Sequence, residues 1–83
     1  MSESVTVRVR LFAGFREVVG ASALTRALPQ GSTVRQLWDD LAVDHPKLAQ
    51  WPPSAAVNGD WSSPDVVLSA GDEVAFLPPI AGG

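Results

Sequence analysis

Residues 34–44 form the longest stretch with helical periodicity in this sequence, and they limit the folds open to it. Val34, Leu37, Trp38 and Leu41 fall at i, i+3, i+4 and i+7, a single apolar stripe. Ser32 and Thr33 are both suited to cap the first turn, where unpaired N–H groups need an oxygen acceptor. Asp39 and Asp40 fit its solvated face, and His45-Pro46 marks its end. One helix with one stripe covers one face of a sheet. The expected class is therefore α+β, a sheet of about four or five strands with one main helix on one face.

The strand patterns supply that sheet. Residues 5–12 alternate, with Val5, Val7, Val9 and Leu11 on one face and Thr6, Arg8, Arg10 and Phe12 on the other. Phe12 thus falls among polar positions, either exposed or covered by a neighbouring element. Phe15, Val18 and Val19 predict a short helix over 13–19, stopped by Gly20. Residues 21–28 alternate again and predict a second strand, antiparallel to the first, closed by Pro29-Gln30-Gly31. Residues 47–53 read as a connection, with Trp51 folded over the edge of the core. A strand at 54–57 runs into Asn58-Gly59, a pair suited to the positive φ angles of a tight hairpin turn. Asp60-Trp61 begins a brief fourth strand, residues 62–65 a loop, and Val66, Val67 and Leu68 a short buried piece. The last strand, 73–77, places Val74 and Phe76 on one face and Glu73, Ala75 and Leu77 on the other.

Composition narrows the function. Eighty-three residues make one domain that buries roughly 60% of its unfolded surface. A hydrophobic content of 46% suffices for one core, and 18% charged residues is too few for disorder. The net charge of −3, with no run of Lys or Arg, argues against a nucleic-acid or anionic-membrane binder. No apolar stretch nears the ~20 residues of a membrane span, and residues 1–5 lack the regions of a signal peptide; a cytoplasmic location is expected. There is no cysteine, which excludes disulfides, thiolate metal sites and thiol catalysis. One His, one Lys and no Tyr leave few acid–base groups, and His45 without companions makes a poor metal ligand.

The ending, GDEVAFLPPIAGG at 71–83, is the most unusual stretch. Pro78 and Pro79 cannot continue a central strand and favour an extended exit. From Pro78 the last residues, Pro79, Ile80, Ala81, Gly82 and Gly83 among them, could project about 20 Å. A strand, a stiff spacer and a bare Gly-Gly fit a carboxylate that enters a narrow site on another protein. The same ending also fits a frayed terminus or a cloning remnant.

Three blocks together, LFAGFREVVG (11–20), AAVNG (55–59) and AGDEVAFLPPIAGG (70–83), resemble the ubiquitin-like sulfur carriers of the MoaD/ThiS family. The first block resembles the molybdopterin branch more than the shorter thiamin carriers. The resemblance implies a β-grasp fold over 1–83, a mixed sheet with the first and last strands adjacent and parallel at its centre, and a flexible tail at 78–83. It implies that the chain has no catalytic groups of its own and binds no cofactor, ATP being used by an E1-like adenylating partner. That enzyme would adenylate the Gly83 carboxylate. Sulfur from a cysteine desulfurase or rhodanese-like donor would then replace AMP and leave a thiocarboxylate. Docked on the large subunit of molybdopterin synthase, in a heterotetramer, the tail would pass sulfur to cyclic pyranopterin monophosphate, and two transfers would build the dithiolene.

The resemblance also implies a docking patch at Phe12, Trp61 and Leu77, although Trp61 stands where a smaller aliphatic residue is more usual. Arg16 matches a recurrent Arg of the family, with a salt bridge on the helix surface as the simpler role. Three other functions are compatible with the sequence: a carrier for thiamin, cysteine synthesis or tRNA thiolation; a ubiquitin-like protein modifier; and a plain interaction module.

Overall fold

The computed structural model describes residues 3–78. Five strands form one mixed sheet: β1 (Ser4–Leu11), β2 (Ala23–Pro29), β3 (Ala55–Val57), β4 (Asp60–Ser62) and β5 (Glu73–Phe76). Their order across the sheet is β2-β1-β5-β3-β4. Two α-helices, α1 (Ala13–Val19) and α2 (Val34–Asp44), and a 3-10 helix, Pro46–Gln50, complete the chain. β1 pairs antiparallel with β2 and parallel with β5, so the first and last strands lie side by side at the centre. This is the expected β-grasp arrangement.

The alternation of β1 survives intact: Val5, Val7, Val9 and Leu11 are buried and the residues between them exposed. Their buried side joins Val74 and Phe76 of β5, Ala55 of β3, and Val34, Leu37, Trp38 and Leu41 of α2 in one core. Each of these side chains, taken out of water, contributes about 1.5–3 kcal/mol before the cost of ordering it. Aromatic rings tie the layers together. Trp38 meets Phe15 of α1 edge-on at 5.1 Å and Phe76 at 4.6 Å, while Trp51 meets Phe15 at 5.4 Å. The indole N–H of Trp38, which burial would leave unpaired, donates to the Trp51 carbonyl at 3.0 Å.

The ends of α2 are closed by side chains and by the loop before β5. Thr33, rather than Ser32, is the cap: its hydroxyl accepts from the Gln36 N–H, and the Gln36 amide oxygen accepts from the Thr33 N–H. Ser32 is buried and donates instead to the Pro29 carbonyl. The Val34 and Arg35 N–H groups, also orphans of the first turn, donate to the carbonyls of Val66 and Pro64. Arg26 of β2 crosses to the far end of α2 and pairs with Asp44 at 3.0 Å and Asp40 at 3.5 Å.

Three expectations change. Val66, Val67 and Leu68 are not a buried piece: only Leu68 is buried, while Val66 and Val67 are 39% and 58% exposed. Val67 bridges Thr33 in extended conformation, and backbone bonds to the head of α2 hold this segment in place of apolar burial. The connection after α2 contains the 3-10 helix, started by Pro46 and anchored by fully buried Leu48. Trp51 does fold against the core edge, half-buried. The second strand starts two residues later than its alternation suggested, because Ala21 and Ser22 carry the chain out of α1, whose last residue is followed by Gly20 at φ 85°.

Two substitutions test this account by urea unfolding. Leu37→Ala is expected to cost about 3 kcal/mol, since Leu37 has no solvent exposure and its neighbours cannot collapse freely. Thr33→Ala is expected to cost about 1 kcal/mol through loss of the reciprocal cap.

Candidate functional site

The face of the sheet opposite α2 is covered by no helix among the described residues. Its residues follow from register. Reading across all five strands, Ala23, Arg10, Ala75, Ala56 and Trp61 are successive partners, so their side chains share one row on that face. Continuing the parallel β1–β5 register by one step past Leu11–Phe76 puts Phe12 beside Leu77. The Leu77 N–H donates to the Ser54 carbonyl, which carries the β3–β5 ladder one bond beyond the strand.

The structure thus brings the three predicted docking residues to one face. Trp61 is 73% exposed and Phe12 37%, and Leu77 is half-buried. Ala56 and Ala75 fill the space between Trp61 and the Phe12–Leu77 pair with small apolar groups. Exposed large apolar residues on one face are a common feature of protein–protein interaction surfaces. Trp61 reaches the patch because the Asn58-Gly59 turn, with φ of 51° and 89°, reverses the chain tightly and leaves Trp61 opposite Ala56. Phe12 is held out by a sharper device. It remains extended, and Ala13 takes a positive φ of 50°, which turns the chain into α1 immediately after it.

β5 is fixed at its entrance as well. The Asn58 amide donates to the Asp72 carboxylate and accepts from the Glu73 N–H, both at 3.0 Å. The other Asp72 oxygen accepts from the Ser69 N–H at 2.8 Å. The Asp72 carbonyl and the Gly71 N–H bond to β1 at Arg8 and Thr6. A hairpin turn is thereby clamped to the start of the strand whose far end leads to Leu77 and Pro78. Pro78 is half-buried and outside any strand. The tail positions Pro79, Ile80, Ala81, Gly82 and Gly83 lie outside the described residues.

Arg16 is exposed and makes no salt bridge among the described residues, so the helix-surface pairing anticipated for it does not form there. Among the described residues no three His, Asp or Glu side chains gather to hold a metal ion, and no helix is long and apolar enough to cross a membrane.

Comparison with known proteins decides the family. The model of the ThiS family matches residues 9–83. The chain belongs to the ThiS family. Among its relatives, the molybdopterin synthase sulfur carrier subunit of Arabidopsis thaliana is 34% identical, covering 99% of this chain and 88% of that protein. The molybdopterin synthase sulfur carrier subunit of Escherichia coli (strain K12) is 38% identical, covering 93% and 99%. Small archaeal modifier protein 1 of Haloferax volcanii, known from a crystal structure, is 26% identical, with a TM-score of 0.82 and coverage of 92% and 99%. The ThiS-family body therefore accounts for the fold, and the exposed apolar face is a feature built on it.

Sequence reasoning found Phe12 and Leu77 by alternation, yet it missed what surrounds them. Ala56 and Ala75 join the patch only through strand register, and the Asn58–Asp72 clamp links positions far apart in sequence. If the patch is external, Phe12→Ala and Trp61→Ala should each change stability by no more than about 1 kcal/mol, whereas Phe76→Ala on the opposite face should cost about 4 kcal/mol. Denaturant midpoints of the three variants provide the comparison.

Proposed function

We propose that this chain is the sulfur-carrying small subunit of a molybdopterin synthase. The observation that carries the reading is the union of two facts. The chain matches molybdopterin synthase sulfur carrier subunits over nearly its whole length, and its last strand leads out beside an exposed apolar patch. A body that docks through Phe12, Leu77 and Trp61 holds the exit of its own C-terminal segment against the partner.

In this reading the Gly83 carboxylate is the reactive group. A carboxylate is a poor electrophile, so an E1-like partner transfers AMP to it from ATP and releases pyrophosphate. A persulfide sulfur then attacks the acyl carbon and AMP leaves. Cleavage of the remaining S–S bond by a thiol frees a thiocarboxylate. With the tail inserted in the large subunit, the terminal sulfur passes to cyclic pyranopterin monophosphate, and water restores the carboxylate. The chain has no cysteine, so it cannot hold sulfur as a persulfide, and its own terminus is the group that can carry it. Gly82 and Gly83 bring no Cβ into a narrow channel, and Pro78 and Pro79 lower the entropy lost on threading. ATP belongs to the activating partner, and the cytoplasm supplies all the reactants.

A second reading has its own support. The likeness to small archaeal modifier protein 1 favours a protein modifier, in which the same activated carboxyl is captured by a lysine amine. Incubation with an activating enzyme, ATP and a persulfide donor separates the two. The carrier is expected to gain the mass difference of one oxygen replaced by sulfur and, with a large subunit, to convert the pterin precursor to molybdopterin. Lysine-linked conjugates without that mass change would establish the modifier. Adding one alanine after Gly83 should abolish transfer while leaving the unfolding curve unchanged.

A further inference from the structure

Arg8 and Arg10 stand next to the apolar patch, on the same face of β1 as Phe12, and the activity proposed above makes no use of them. Both are exposed. Their partners on β2 are Thr25 and Ala23, side chains too short to cover a guanidinium. The result is a groove whose lining includes Arg8, Arg10, Ala23, Thr25 and Glu73. On the other side, Glu73 lies 3.9 Å from Arg10, and the Arg10 guanidinium rests 5.5 Å from the centre of the Phe12 ring. Arg8 has no carboxylate partner among the described residues. One guanidinium is thus flanked by Glu73 and Phe12, and the second, opposite Glu73 in register, makes no ion pair among the described residues.

The charge of this face opposes that of the molecule. The chain carries six cations and nine carboxylates. Among the described strand residues, the charged ones on the helix-free face are Arg8 and Arg10 against Glu73. Asp39, Asp40 and Asp44 are on or at the end of α2, on the other side of the sheet. The local excess of cations on this face attracts an acidic surface to the place where the apolar patch can also be covered. Guanidinium groups suit carboxylates because their planar N–H pairs match two oxygens.

We infer that Arg8 and Arg10 form a carboxylate-receiving pair that orients docking, and that the protein surface covering Phe12, Leu77 and Trp61 presents Asp or Glu side chains over the β1–β2 groove. The inference rests on the docking role proposed above and adds the chemistry of the partner surface. The pair acts chiefly on encounter: long-range attraction raises the association rate and is screened by salt, whereas apolar contact governs how long the complex lasts.

The test measures association and dissociation rates with the large subunit of molybdopterin synthase from the same organism, at low and at high ionic strength. The unmodified chain is expected to associate faster at low salt. R8Q/R10Q should associate about tenfold more slowly at low salt and lose most of the salt dependence. R8K/R10K, which keeps the charge, should retain most of it. Leu77→Asp should weaken binding through dissociation. If R8Q/R10Q keeps the rate and salt dependence of the unmodified chain while Leu77→Asp weakens the complex, the patch docks without the arginines and this inference is overturned alone. If the unmodified chain does not bind the large subunit, the proposed function falls and this inference falls with it. Circular dichroism of each variant confirms that the exposed substitutions leave the fold in place.

Discussion

The parallel pairing of β1 with β5 is the contact on which the molecule depends. It joins the two ends of the chain at the middle of the sheet, where Val9 faces Val74 and Leu11 faces Phe76 in register. Parallel strands cannot be joined by a tight turn, so everything between them is crossover. That crossover contains α2, whose apolar stripe covers the paired strands from one side. Trp38 packs against Phe76 at 4.6 Å and against Phe15 at 5.1 Å, so the strand, the main helix and the short helix share one aromatic contact chain. Removing register here would displace every residue of the opposite face.

That opposite face is where the fold becomes useful. The side chains that alternate with the core residues of β1, β5, β3 and β4 form one surface, and the end of β5 leads away from it. In the proposed function, an apolar patch beside the exit from the last strand would couple recognition to delivery, because a partner covering Phe12 and Leu77 would also meet the segment that follows. The hydrogen bonds of Asn58 and Asp72 at the other end of β5 clamp that strand at its entrance. The chemistry proposed for the terminus requires this division of labour. A chain with one histidine and no cysteine has few groups to activate its own carboxylate, and a rigid body that others can recognise serves that need.

Local pattern made much of this legible. The alternation in β1 and β5 assigned core and surface positions correctly, and the i, i+3, i+4, i+7 stripe identified the buried residues of α2, because in both cases side-chain direction is a property of backbone geometry. The pattern failed where backbone bonding replaced burial. Val66 and Val67 look like core residues from composition, yet their segment is extended and its carbonyl oxygens satisfy N–H groups at the head of α2. The 3-10 helix escaped notice for a related reason: its only buried side chain is Leu48, too little to establish a period.

The amino-acid order alone settled the strands and the two α-helices, the inward faces of β1, β5 and α2, a cap for α2 at residue 32 or 33, and the family resemblance carried by three short blocks. Those are local properties, determined by side-chain size, branching and spacing along the chain. Tertiary structure decided which strands are neighbours, and with them the composition of the exposed face. Trp61 lies in one row with Arg10 across three intervening pairings, and Arg8 and Arg10 border a groove because Thr25 and Ala23 happen to face them. Such neighbours are far apart in sequence, and only strand register, set by burial of the other face, brings them together.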